Sequence, residues 1–134
     1  MIRMTVFVRR REGMTHDEFL EHWRTRHGPL IAGEPTLARH LVRYEQHARA
    51  DVPDWAGTVG YDGVAVQVFA SFDAFLAFLN EPAYAELVAP DEGRFLDRAS
   101  VLWQFSDDPV VVIDGPSDVA GAAAGDDPDR EGTP

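Results

Sequence analysis

Over residues 2–10 the chain alternates. Ile2, Met4, Val6 and Val8 fall on one side and Arg3, Thr5, Phe7 and Arg9 on the other, the pattern of a strand with one buried face. The period then changes. Thr15, with Glu18 three residues on, forms a capping box, and His16, Phe19, Leu20, Trp23 and His27 follow along one helical face. Gly28-Pro29 predicts the end of regular helix, because the residue before a proline is pushed away from helical backbone. A short further turn is expected around residues 30–33. Residues 37–47 read as a second strand, 51–60 as a loop, and 61–69 as a third strand in which Val64, Val66 and Val68 alternate with Ala65, Gln67 and Phe69. Ser71 caps a helix striped by Phe72, Phe75, Leu76 and Leu79. Helix resumes at Pro82 through Tyr84, Leu87 and Val88, with another turn over residues 94–97. Residues 100–105 make the fourth strand. The order β-α-β-β-α-β predicts an α+β, ferredoxin-like domain: a four-stranded antiparallel sheet with helices on one face.

Such a sheet leaves its other face bare, and its strands are too apolar for both faces to meet water. No helix remains to cover it, so a face-to-face homodimer is expected. The apolar run 110–113 is long enough for an edge strand and too short for a helix, and is a candidate to pair with a partner's sheet edge. The domain is expected to span residues 1–115. Residues 116–134, rich in Gly, Ala, Asp and Pro, are expected to be a disordered acidic tail.

Composition changes the picture in three places. The net charge of -11 is concentrated at the C-terminus: eight acidic residues and one Arg from Ser106 onward leave a body of 15 acidic and 11 basic residues. With no basic stripe, nucleic acid is a poor partner and none is expected. No cysteine means no disulfide, no thiolate nucleophile and no Cys-based metal site. No apolar run of membrane-spanning length and no signal-peptide core are present, so a cytoplasmic protein with no membrane partner is expected. The histidines lack helical metal spacing, His22 and His27 being five apart, and no nucleotide-binding or serine-hydrolase motif occurs. Neither metal nor cofactor is expected.

His27 is the first candidate for chemistry, an imidazole at the end of an apolar helical stripe where it suits proton transfer. The alternative is a histidine that only caps helix carbonyls. Asp62 is a candidate to orient His27 or His47, the alternative being an Asp-Gly turn at a strand entrance. Trp23 and Phe75 belong to an aromatic surface that is either core or the lining of a pocket for a flat apolar ligand. His40 and His47 fall on opposite faces of the expected second strand, as do Tyr44 and His47. His40 and Gln67 complete the candidate ligand-binding set with Trp23 and Phe75.

The run Phe19-Leu20-Glu21-His22-Trp23-Arg24-Thr25-Arg26-His27-Gly28-Pro29-Leu30 resembles the Phe-x-x-x-Trp-x-x-x-His-x-Pro-Leu signature of the EthD family. Tyr61-Asp62-Gly63-Val64-Ala65 is similar to that family's Tyr-Asp-Gly-x-Ala strand entry, and Arg94-Phe95-Leu96-Asp97 to a further shared run. Residues 42–47 are similar to its Arg-Tyr-x-Gln-x-His-type strand end, which favours Tyr44 and His47 as catalytic candidates beside His27 and Asp62. Many members carry Glu where this chain has Val66, which takes away one carboxylate. The resemblance implies a dimeric α+β barrel and a cofactor-free lyase or cyclase acting on an aromatic or polyketide-like intermediate by dehydration, cyclisation or decarboxylation. It equally implies, as alternatives, a cofactor-independent monooxygenase (an oxidoreductase), or a non-catalytic binding protein for a hydrophobic metabolite.

Overall fold

The computed structural model describes residues 1–57 and 60–116. Strand β1 (Ile2–Val8) leads to helix α1 (His16–His22), whose start is set by the expected capping box: Glu18 N–H donates to Thr15 Oγ1 and Thr15 N–H to Glu18 Oε1. The helix does not end at Gly28-Pro29. It passes through a π-helical turn (Trp23–His27) straight into α2 (Gly28–Ala32). In that turn the Gly28 N–H reaches back five residues to the Trp23 carbonyl. Proline has no N–H to give, and the wider turn absorbs the missing donor without breaking the helix.

Residues 37–42 are also not strand. Pro35 takes the first helical position and the Glu34 carboxylate accepts from the Thr36 N–H, so a short helix α3 (Pro35–Ala38) forms and buries Leu37. Strand β2 (Arg43–Ala48) begins only afterwards, and His40 lies on the turn between the two. Strand β3 (Gly63–Phe69) and helix α4 (Phe72–Asn80) follow, the Ser71 hydroxyl accepting from the Ala74 N–H as expected of its cap. A second π-helical turn (Tyr84–Val88) runs into α5 (Ala89–Phe95), again with the N–H before a proline reaching back five residues, Ala89 to Tyr84. Strand β4 (Leu102–Ser106) closes the order. Ile2 and Gly63, Trp23 and Tyr84, and Pro29 and Pro90 are each 61 residues apart, so the second half repeats the first.

The four strands form one antiparallel sheet in the order β2-β3-β1-β4, the ferredoxin-like arrangement. Register assigns the faces. Met4 pairs with Gln67 and Phe105, Val6 with Ala65 and Trp103, and Gln67 with Tyr44, all on the helix side. Thr5, Glu45, Val66 and Gln104 form one row across the opposite face, flanked by Phe7, His47, Val64 and Leu102. That face carries no helix. On the covered side one cluster gathers Met4, Ile31, Leu37, Phe69, Phe75, Phe78 and Val88; a second holds Val8, Phe19, Trp23, Ala65 and Phe95.

Residues 110–113 form no strand in the single chain, and Val110, Val112 and Ile113 are exposed. The expected acidic tail lies, beyond Pro116, outside the described residues. Among the described residues no helix is long and apolar enough to cross a membrane.

Candidate functional site

A cavity of about 380 Å³ opens between the sheet and the helices. Its floor is Met4, Val6, Tyr44, Ala65 and Gln67, from three adjacent strands, and Trp23, Phe75, Phe78, Phe95 and Trp103 give it aromatic walls. His27, Tyr84, Glu92 and Arg98 bring further polar groups to the lining. Trp23 lies close against β3 because Gly63 has no side chain; a Cβ there would stand 2.6 Å from the indole Cζ3 and 2.9 Å from the His47 carbonyl oxygen.

His27 is buried at 6% exposure, and its Nδ1 hydrogen-bonds Asp91 Oδ2 at 2.9 Å. The other carboxylate oxygen, Oδ1, takes His22 Nε2 at 2.9 Å. Phe95 lies against both rings, with centroids 4.6 Å from His22 and 4.8 Å from His27. An ionised carboxylate only accepts, so each imidazole donates to it. This fixes the proton of neutral His27 on Nδ1 and leaves Nε2 as the basic nitrogen of a residue that lines the cavity. Burial lowers the His27 pKa below the ordinary imidazole value, against the pull of Asp91. Burial pushes Asp91 upward, but the hydrogen bonds from His27 and His22 outweigh it and hold the carboxyl below its usual range. The resting pair is therefore a neutral imidazole on an ionised carboxylate.

Two tyrosines complete the polar set. Burial raises the pKa of Tyr44, whose oxygen accepts from Gln46 Nε2 at 3.1 Å; the same amide group donates to the Trp23 carbonyl at 2.9 Å. Burial likewise raises Tyr84, aided by the charge of Glu92, to whose Oε2 its hydroxyl donates at 2.9 Å. Both phenols are thus held protonated at neutral pH.

The structure therefore brings His27, Tyr44, Trp23, Gln67 and Phe75 together around one cavity and places three other candidates elsewhere. His47 is on the open sheet face, its Nε2 2.9 Å from Glu45 Oε1. His40 bonds Glu81 at 2.5 Å outside the cavity lining. Asp62, fully buried, takes the Arg10 N–H at 2.7 Å, the Arg10 guanidinium at 2.8 Å and His16 Nδ1 at 2.7 Å. It orients neither His27 nor His47; it joins the end of β1, the start of α1 and the entrance to β3. Burial pushes its pKa up, and the Arg10 N–H, His16 and the Arg10 side chain more than reverse that.

Asp91 and Glu92 were not singled out from sequence, because Pro90-Asp91-Glu92 reads as an ordinary acidic first helical turn; Tyr84 was legible only as part of the aromatic surface. The signal was the repeat: Tyr84-x-x-x-Val88-Ala89-Pro90 has the spacing of Trp23-x-x-x-His27-Gly28-Pro29.

A family model described as the EthD domain matches residues 11–99. A conidial pigment biosynthesis dehydratase EthD of Metarhizium robertsii is 24% identical over 108 residues, covering 74% of this chain and 76% of that protein. Among solved structures, a dimeric ferredoxin-like protein from Thermobifida fusca superposes with a TM-score of 0.57 at 21% identity, over 78% of this chain and 88% of that one. An ethyl tert-butyl ether d (EthD) family protein from Bacillus halodurans superposes with a TM-score of 0.60 at 12% identity, over 81% and 100%.

Proposed function

As the chain belongs to the EthD family, we propose that it is a small-molecule enzyme that works by proton transfer, with His27 as the base and Asp91 as the carboxylate that orients it. The observation that carries this reading is the Nδ1–Asp91 hydrogen bond of a buried histidine that lines an aromatic cavity. His27 Nε2 would take a proton from a carbon or hydroxyl activated by a neighbouring carbonyl, and a protonated tyrosine, Tyr44, stands on the same lining to hydrogen-bond the resulting enolate oxygen. Dehydration, ring closure and decarboxylation all pass through such an enol or enolate, and the relative named a dehydratase supports the first. A cavity lined by His27, Tyr44, Gln67, Tyr84, Glu92 and Arg98 favours chemistry over the storage of an apolar metabolite.

The open sheet face is the surface through which a second copy would pair, supported by the apolar Val64, Val66 and Phe7 on it and by the solved relative described as dimeric. Residues 110–113 stand next in sequence after the edge strand β4, available to such a partner.

The base is tested without knowing the natural substrate, by following deuterium exchange into the α-carbon of 1-tetralone, a bicyclic aromatic ketone. The protein accelerates exchange over buffer, and His27→Ala returns the rate to the buffer value. Equal rates for the two proteins would overturn the assignment.

A further inference from the structure

Gln67 carries an oxygen on this cavity lining that no donor in the protein reaches. It sits on β3 between Met4 and Tyr44, pointing from the middle of the sheet into the cavity lining, at 8% exposure. Its Oε1 is the single buried side-chain nitrogen or oxygen among the described residues with no hydrogen-bond partner. The donors of Gln46, Tyr84 and His27 Nδ1 are spent on Trp23 and Tyr44, on Glu92 and on Asp91, and none is bonded to it. Buried acceptors are rarely left unpaired, because desolvation without a replacement bond is costly. An apolar residue of the same size would fill this sheet position at no such cost, as Met4 and Ala65 do beside it.

We infer that Gln67 is the recognition group for a hydroxyl on the ligand, so that the cavity takes a flat aromatic molecule bearing a neutral O–H. The inference rests on the reading of this cavity as the ligand site, but not on the proton-transfer role of His27. A carboxamide oxygen accepts and cannot donate, so it selects a donor; ethers and carboxylates offer none. The aromatic walls supply affinity for the ring without regard to its substituents, and Gln67 adds the discrimination.

The test is a matched pair of probes, 1-naphthol and 1-methoxynaphthalene, titrated against the intact protein by quenching of the tryptophan fluorescence, Trp23 and Trp103 being in the cavity wall. The wild type is expected to prefer the naphthol by about tenfold, the ratio for one neutral hydrogen bond. In Gln67→Leu and Gln67→Met the preference falls to about one, and thermal unfolding occurs at the same or a higher temperature, since an unpaired polar group has been removed. Equal binding of both probes by the wild type, failure of 1-naphthol to bind, or an unchanged ratio in the variants would overturn the inference. So would lower unfolding temperatures in both variants, which would mark Gln67 as structural. His27→Ala retains the naphthol preference while losing tetralone exchange, so the two readings fail separately.

Discussion

His22 and His27, five residues apart, hydrogen-bond the two oxygens of one carboxylate, Asp91. On a regular helix a five-residue spacing diverges; the π-helical turn between them is what turns both rings to the same partner. Replacing Asp91 by Asn leaves one acceptor oxygen for two imidazole N–H groups and removes the charge that would stabilise a protonated His27. Tetralone exchange, or turnover of a natural substrate once found, should fall by about 10²–10⁴-fold with little change in probe affinity.

The same cluster sets a pH dependence. Burial lowers the His27 pKa, so the acid limb of the rate profile is expected below the ordinary imidazole value of 6.5. His22 contributes to that lowering, and it also helps hold Asp91 ionised. His22→Gln should move the acid limb upward while leaving the plateau rate nearly unchanged. A profile of rate against pH for the two proteins checks both statements.

Stability should fall with acid for a related reason. The folded pKa values of His27, Asp91 and Asp62 all lie below their unfolded values, so the unfolded chain binds more protons between the two. Their stabilisation is present above the unfolded values and is lost as pH falls, first in the imidazole range and then in the carboxylate range. Unfolding temperatures measured from neutral pH into acid should show the two-stage decline, with the first stage missing in His27→Gln.

Asp62 is expected to matter for stability alone. Asp62→Ala strips the Arg10 N–H, the Arg10 guanidinium and His16 of a shared acceptor, at a cost of about 2–4 kcal/mol. Denaturant unfolding measures the loss. The residual folded protein should exchange tetralone at the wild-type rate, since Asp62 does not line the cavity.

Gly63 and Val66 test the two faces of β3. Gly63→Ala pushes a methyl group into the Trp23 ring and should destabilise by about 1–3 kcal/mol while weakening binding of both naphthyl probes. Val66→Asp, on the opposite face beside Glu45, places like charges at the proposed two-copy interface. Light scattering should show a dimer for the wild type and a monomer for this variant.

Much of this was legible in the chain. Period-2 alternation located β1 and β3, and the Thr15 and Ser71 caps located two helix starts, because those signals are local. Trp23, His27 and Phe75 were legible as candidates for the same reason, each lying on the apolar stripe of its own helix, whereas Tyr44 was favoured by the resemblance of residues 42–47 to the family's strand end. What was not legible depends on register or on contacts between distant elements. The π-helical turns hid the continuity of two helices behind prolines, and the end of α3, Leu37 and Ala38, was read as strand because the Glu34-Pro35 start was not recognised. Asp91 is an acid in a first helical turn, a place where most carboxylates face water, and only packing against α1 gives it two imidazoles. Asp62 was legible as important but not for what, since its partners Arg10 and His16 lie some 50 residues upstream.

The internal repeat has one more consequence. His27 stands in the first half and Asp91, 64 residues later, in the second, so neither half contains a working site. Each βαβ unit can reach its local structure on its own timescale, but the pair is made only when the two have docked. During refolding, the return of proton-transfer activity should therefore lag the return of helical signal, and the size of that lag is a clock for the meeting of the two halves.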